Sequence, residues 1–89
     1  MNNNQAVNKI LNSSHLKDIY FYALGKKFFM QKEIIKNTNL KYHAHVSKSL
    51  KELSELGLVI CENPNDKNFK RYQITPKAKQ IEEEIKKYY

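Results

Sequence analysis

Apolar side chains recur along this chain at the three- and four-residue spacing of a helix that buries one face. The first such stripe consists of Leu16, Ile19, Tyr20, Ala23 and Leu24. It predicts a helix over residues 14–24, with Ser13 or Ser14 as the N-cap. Gly25 follows the last apolar position, where it is expected to adopt the left-handed conformation.

Two more helices are predicted before the middle of the chain. Ile34 and Ile35 indicate a short helix over residues 31–37. The next apolar stripe consists of Tyr42, Val46, Leu50, Leu53 and Leu56. It predicts a third helix over about residues 41–56, which Gly57 ends in the left-handed conformation.

The pattern then changes to two short runs of strand-forming residues. These runs are residues 58–62 and 69–75, and the segment between them is dense in turn formers, which predicts a hairpin. Thr75 and Pro76 suit the N-cap and the first position of a last helix. Its apolar stripe consists of Ala78, Ile81, Ile85 and Tyr88. The expected fold is therefore α+β and mostly helical, in the order helix, helix, helix, hairpin, helix.

Size and charge narrow the range of functions. The 89 residues suffice for one small domain with a modest core. The 16 Lys and Arg against 9 Asp and Glu give a net charge of +7, which indicates a polyanionic partner such as nucleic acid or an anionic membrane surface. No apolar run approaches the length of a membrane span, so no membrane partner is expected.

The sequence gives no sign of enzyme chemistry. Gly25 and Gly57 are its only glycines, so there is no Gly-rich phosphate loop, and no nucleophile, base and carboxylate follow a recognisable order. We therefore expect neither an enzyme nor a cofactor. Cys61 is the single cysteine and cannot form an intrachain disulfide, so we expect a cytoplasmic protein in which Cys61 is a small core residue.

The third predicted helix carries most of its cations on one face. When Val46 is placed at the centre of the buried side, with about 100° per residue, the lysines fall on the opposite side. That exposed face consists of Lys41, Ala44, Lys48, Lys51 and Glu55. Lysines one turn apart suit a helix laid along a groove lined with phosphates. The simpler alternative is a solvated helix surface, which the neighbouring Glu52 and Glu55 favour.

Two histidines on this helix raise the possibility of a metal site. His43 and His45 are two residues apart, so their side chains diverge by about 200° and cannot chelate one ion together. A helical zinc pair needs histidines four residues apart, and we therefore expect no metal. His45, like Ser47, projects to an edge of the exposed face, where it can donate to a base edge or a phosphate. His43 is expected beside the buried stripe, near the second helix.

Two segments resemble a known family. The segment TNLKYHAHVSKSLKELSELGLV, residues 38–59, is similar to the recognition-helix region of MarR- and ArsR-type winged helix-turn-helix regulators. The segment NDKNFKRYQITPKAKQIEEEI, residues 65–85, resembles their hairpin, called the wing, and the start of their final helix. The resemblance covers about residues 16–85 and implies a winged helix-turn-helix fold: a three-helix core, a β-hairpin wing and a C-terminal helix.

The chain departs from that family in two respects. The Asp-x-Arg motif that is common in MarR wings appears as Asp66-Lys67-Asn68, with Lys70 and Arg71 further along the strand as replacements. MarR chains usually extend further at both ends, with helices that dimerise and frame an effector pocket. This chain leaves little room for such a pocket, so no small-molecule effector is expected.

The resemblance implies a sequence-specific regulator that binds double-stranded DNA. In the major groove, Ala44, His45, Ser47 and Lys48 are expected to approach bases, while Lys41 and Lys51 reach phosphates. On the wing, residues 58–75, Lys67, Lys70 and Arg71 are expected to contact the adjacent backbone or the minor groove. The simpler alternative is that they are ordinary edge-strand charges that prevent aggregation.

Apolar residues at both ends of the chain exceed what so small a core is expected to cover. They are Val7, Ile10, Leu11, Ile81, Ile85, Tyr88 and Tyr89. Exposed stripes of this kind mark interfaces, which predicts a homodimer. Residues 1–12 then form a tail, disordered over 1–5, with a short helix that contacts the partner; residues 13–75 bind DNA; and residues 76–89 dimerise.

Two other functions remain open. The same fold could be a protein-interaction module whose charge meets an acidic protein surface, or a protein that coats DNA without sequence preference. Binding to phosphates predicts a steep loss of affinity with salt, which distinguishes DNA from a protein partner. Competition with random DNA distinguishes specific binding from coating.

Overall fold

The described structure is α+β and mostly helical. A computed structural model describes residues 3–38, 40, 42–67 and 69–88. The helices are α1 (Asn3–Leu11), α2 (Ser14–Leu24), α3 (Gln31–Asn37), α4 (His43–Glu55), α5 (Pro76–Gln80) and α6 (Glu82–Lys87). The strands β1 (Phe29–Met30), β2 (Val59–Cys61) and β3 (Arg71–Ile74) form an antiparallel sheet in the order β1–β3–β2. We call β2, β3 and the loop between them the hairpin.

The start of α2 is fixed by the predicted serine cap. Ser13 has an extended backbone, and its side chain accepts a hydrogen bond from the backbone N–H of Leu16 at 3.2 Å. The helix spans the residues that the apolar stripe predicts. The left-handed conformation expected of Gly25 is wrong, because its φ is −85° and its N–H bonds back to the carbonyl groups of Ala23 and Tyr22.

The end of α4 does use a left-handed glycine, as predicted. Gly57 has φ 77°, and its N–H donates to the carbonyl of Ser54 at 3.0 Å. The N–H of Leu58 donates to the carbonyl of Leu53 at 2.9 Å. These two bonds form a Schellman motif, which satisfies the last carbonyl groups of the helix and directs the chain into β2.

Thr75 joins the hairpin to the last helical segments. Its hydroxyl accepts from the backbone N–H of Ala78 at 3.3 Å and donates to the carbonyl of Gly57 at 2.6 Å. Pro76 occupies the first position of α5, as predicted. The single last helix of the prediction is instead divided at Ile81, whose backbone (φ −90°, ψ 0°) lies at the edge of the helical region.

The apolar stripes near both ends of the chain pack inside one core. α1 packs against α2 and α6, and the side chains of Val7, Ile10, Ile81 and Ile85 are all buried. The sequence prediction that these four residues remain available for a dimer contact is therefore corrected: each finds its apolar partner within the chain. Leu11 packs partly buried against the same core, and Tyr88 is 72% exposed.

Two other expectations concern the ends of the chain, the disorder of residues 1–5 and the homodimer. Residues 3–5, expected to be disordered, form the first turn of α1, while Met1, Asn2 and Tyr89 lie outside the described residues. Dimerisation stays a prediction, but the buried stripes no longer support it.

In the part of the chain that the structure describes, no helix has the length and apolar character needed to cross a membrane.

Candidate nucleic-acid interface

The exposed face of α4 is the predicted one. Val46, Leu50 and Leu53 are fully buried, and they fix the rotation of the helix against α2 and α3. The exposed residues on the other side include Ala44, His45, Ser47, Lys48 and Lys51. Lys41, predicted to reach a phosphate, lies outside the described residues. The described face still presents two lysines and a histidine to solvent.

The start of α4 differs from the prediction at two aromatic residues. Tyr42, predicted as part of the apolar stripe, is 67% exposed. Its backbone is extended (φ −118°, ψ 130°) because the helix begins one residue later, so helical spacing does not govern its direction. His43, expected partly buried, is exposed in the first turn. Both side chains therefore enlarge the exposed surface at this end of the helix.

The ring of His45 is held between two other rings. It stacks on His15 of α2, with ring centroids 4.9 Å apart and an interplanar angle of 27°, and Tyr42 meets it edge-on at 5.4 Å. Stacking across two helices reduces the rotamer freedom of an otherwise exposed ring. Sequence spacing could not reveal His15, because its contact with His45 depends on how α2 crosses α4.

Among the described residues, no group of three potential ligands is placed to hold a metal ion.

A hydrogen bond links α3 to the exposed face of α4. The Gln31 side-chain amide donates to the Ser47 hydroxyl at 2.6 Å. Gln31 is the first residue of α3, where Glu33 also accepts from the backbone N–H of Met30 at 2.7 Å. The start of α3 is therefore fixed beside the middle of α4, and Ser47 is oriented by a residue that the sequence prediction did not include.

Lys70 and Arg71 lie on different faces of the hairpin. Adjacent residues of an extended chain point to opposite sides. Lys70 is half-buried and lines a cavity of about 320 Å³ together with Ser47 and Lys51 of α4. Arg71 is not among the residues that line this cavity. Its guanidinium donates to the Glu62 carboxylate and lies over the ring of Phe28, 5.1 Å from the centroid.

This geometry revises the prediction for the hairpin cations. Lys70 lines a cavity with residues of the exposed surface of α4, while Arg71 forms an ion pair with Glu62 that compensates its charge. Lys67 is exposed in the loop and lines, with Lys70 and His43, a second cavity at the start of α4. The structure thus brings Lys67 and Lys70 together with the α4 residues and separates Arg71 from them.

The loop of the hairpin is fixed by side-chain hydrogen bonds to its backbone. The Asp66 carboxylate accepts from the N–H of Phe69 at 2.8 Å, and the Asn63 amide donates to the carbonyl of Phe69 at 2.8 Å. The Asn63 amide oxygen also accepts from the N–H of Arg71 at 2.7 Å. Short polar side chains that bond to nearby backbone are the usual way to order such a loop. Among the described residues of this loop, these bonds hold the backbone of Phe69 and Arg71, on either side of Lys70.

The sequence prediction also missed Lys32 and Phe69. Lys32 belongs to α3, yet its ammonium lies 4.4 Å from the ring centroid of Phe69 and it lines the same cavity as Lys67 and Lys70. The signal in the sequence that could have identified Lys32 is its position directly after Gln31, in the first turn of a helix beside α4.

No protein-family model matches this chain, and comparisons with curated proteins and with solved structures likewise find no match.

Proposed function

We propose that this protein is a winged helix-turn-helix regulator that binds double-stranded DNA with α4 in the major groove. The observation that supports the proposal most directly is the surface shared by α4 and the hairpin. Lys67 and Lys70 of the hairpin line cavities together with His43 and Lys51 of α4, and Lys48 is exposed on α4 one turn before Lys51. A helix flanked by a hairpin can enter a groove while the hairpin follows the backbone.

The electrostatics of the whole chain agree with this proposal. A net charge of +7 on 89 residues attracts a polyanion at long range, and lysines that replace condensed counterions supply most of the nonspecific affinity for DNA. The α4 face carries the shorter-range chemistry. His45 and Lys48 present donors to base edges, Ser47 presents a hydroxyl, and Ala44 leaves room for close approach. Lys51, Lys67 and Lys70 are assigned to phosphates.

The first experiment selects bound DNA from a random pool and then measures affinity for the selected site and for random DNA. We expect log affinity to fall linearly with log salt, with a slope that reflects the phosphates neutralised. A selected sequence with two-fold symmetry would also support the predicted homodimer. Binding that resists salt, or no selected sequence, would favour an acidic protein partner or uniform coating of DNA, respectively.

The second experiment compares Lys48→Ala with Lys27→Ala. Both variants remove one exposed lysine, but Lys27 precedes β1 and lines a cavity with β3 and the start of α5 that includes no α4 residue. Lys48→Ala should reduce the ratio of specific to random affinity by about 1–3 kcal/mol if it contacts a base edge, whereas Lys27→Ala should leave that ratio unchanged. Equal effects of the two variants would remove α4 as the reading element.

A further inference from the structure

A cavity of about 370 Å³ lies between the start of α3, the start of α4 and the hairpin loop. Its polar lining consists of Gln31, Lys32, His43, Lys67 and Lys70. None of the described residues that line it carries a carboxylate. Three ammonium groups from two separate elements, with an amide and an imidazole as further donors, form an environment that suits an anion with several acceptor oxygens.

The apolar wall of this cavity is an exposed aromatic ring. Phe69 is 55% exposed, yet its backbone is held on both sides, because its N–H bonds to Asp66 and its carbonyl accepts from Asn63. Lys32 lies over the ring with its ammonium 4.4 Å from the centroid, which keeps a cation beside an apolar surface. An aromatic ring on a held backbone, next to several cations, can pack against a sugar or a base while the cations hold a phosphate.

We propose that this cavity binds a nucleoside phosphate, with the phosphate among Lys32, Lys67 and Lys70 and the nucleoside against Phe69. A free nucleotide and a nucleotide within a nucleic-acid strand carry the same chemistry, and only in the second case does the inference rest on the proposed DNA-binding function. The lining is too polar for a neutral apolar ligand, whereas a phosphate monoester brings about two negative charges and three acceptor oxygens.

The first arm of the test uses free ligands. Calorimetric titration of the purified protein with AMP, adenosine and inorganic phosphate should show AMP binding more tightly than either part alone. Lys32→Ala should weaken both AMP and phosphate by about tenfold, because it removes a charge-assisted hydrogen bond. Phe69→Ala should weaken AMP by about tenfold and leave phosphate unchanged, because only the nucleoside contacts the ring.

The chain offers a matched control for each variant. Phe28 has the same exposed fraction as Phe69, 55%, but its ring lies under Arg71 and lines no part of the cavity. Lys27→Ala removes an exposed charge elsewhere in the described structure. Phe28→Ala and Lys27→Ala should therefore leave AMP affinity within about twofold, since surface changes away from a site have small effects.

The second arm measures duplex DNA with the same four variants. If AMP does not bind but Lys32→Ala and Phe69→Ala weaken the duplex more than their controls do, the nucleoside phosphate belongs to the DNA strand. If neither ligand distinguishes the cavity variants from the controls, the proposal is overturned. If the wild-type protein binds AMP but not DNA, only the proposed function is refuted. If all four variants bind DNA equally well and AMP does not bind, only the cavity proposal is refuted.

Discussion

Two regions of the molecule differ in how far their side chains are buried. In the terminal region, formed by α1, α5 and α6, the apolar stripes bury one another. In the region of α4 and the hairpin, the cations stay in solvent. Apolar surface gains about 25 cal/mol for each Å² removed from water, whereas a charge gains nothing from burial without a partner. Apolar residues in excess therefore predict an interface only when the folded chain leaves them exposed.

The terminal region is also joined to the core by a buried hydrogen bond. The Tyr20 hydroxyl of α2 donates to the carbonyl of Ala78 at 2.6 Å. Tyr20 is 2% exposed, and both Ile81 and Ile85 belong to the same core. This region is thus a structural part of the domain, and substitutions in it should lower the free energy of unfolding. Substitutions in the α4–hairpin region should instead lower the affinity for DNA.

The largest effect is expected from charges placed in the terminal region. Ile81 and Ile85 are 1% and 0% exposed, so the double variant Ile81→Glu/Ile85→Glu would bury two unpaired carboxylates. Marginal stability of about 5–15 kcal/mol cannot absorb this change together with the lost packing. Circular dichroism at 25 °C should show an unfolded chain.

Tyr88→Glu is the matched control for that variant. Tyr88 follows α6 but is 72% exposed, so the substitution should change the free energy of unfolding by about 0.5 kcal/mol or less. A double glutamate variant that stays folded and becomes more soluble would restore the dimer interface that the sequence predicted. A loss of folding confirms that the stripe belongs to the core.

The next effect concerns the hydroxyl of Tyr20. Tyr20→Phe keeps the ring but leaves the Ala78 carbonyl without its donor, which should cost about 1–3 kcal/mol in the free energy of unfolding. Urea denaturation at neutral pH measures the difference. Tyr22→Phe is the matched control, because it also removes only a hydroxyl and Tyr22 is half-buried. Tyr22→Phe should cost less than Tyr20→Phe.

The same hydroxyl makes stability depend on alkaline pH. Burial, followed by the Glu82 carboxylate, raises the pKa of Tyr20 far above its ordinary value. The unfolded chain therefore loses this proton first, at about pH 10, while the folded chain keeps it. Stability should be fully present below about pH 10 and fall as the pH rises above it. Burial also raises the pKa of Tyr72, so Tyr20→Phe should reduce the alkaline slope without abolishing it.

A smaller effect distinguishes two glycines that the sequence treats alike. Gly57 has φ 77°, so Gly57→Ala should cost about 1–2 kcal/mol, although the added Cβ would meet Lys77 only at an ordinary 3.7 Å. Gly25 has φ −85°, and its added Cβ would lie 3.8 Å from the nearest atom, the Tyr22 carbonyl oxygen. Gly25→Ala should be neutral or stabilise slightly by restricting the unfolded chain. Thermal denaturation of both variants separates the two positions.

Sequence reasoning succeeded where the cause of a feature is local. The Ser13 cap, the left-handed Gly57 and the Thr75-Pro76 start of α5 each depend on a few neighbouring residues. The buried stripe of α4 follows from helical spacing, and it correctly identified the exposed face. These features could be predicted because their chemistry acts over one turn of the chain.

It failed where the cause is a contact between distant segments. Spacing cannot show that Ile10 and Ile85 enter one core, that His15 stacks on His45, or that Glu62 holds Arg71 on the far face of the hairpin. Each depends on the angles at which elements cross. The candidate site was predicted on α4, where one helix suffices. Its extension to Lys32 and Phe69 required the packing of α3 against the hairpin.

The smallest change in the free energy of unfolding is expected when Lys70 or Arg71, the two neighbouring cations of the hairpin, is replaced. These two substitutions should differ in their effect on DNA binding instead. Lys70→Ala removes a half-buried charge that faces Lys51, and Arg71→Ala removes an exposed ion pair with Glu62, whose worth is about 0–1 kcal/mol. Both variants should unfold within about 1 kcal/mol of the parent protein. Their affinities for random duplex DNA should differ, because only Lys70 faces the surface assigned to DNA. Lys70→Ala should lower the slope of log affinity against log salt by about one unit, and Arg71→Ala should leave it nearly unchanged. A salt series on both variants checks this, and a loss of slope in Arg71→Ala but not in Lys70→Ala would place the DNA on the opposite face of the hairpin.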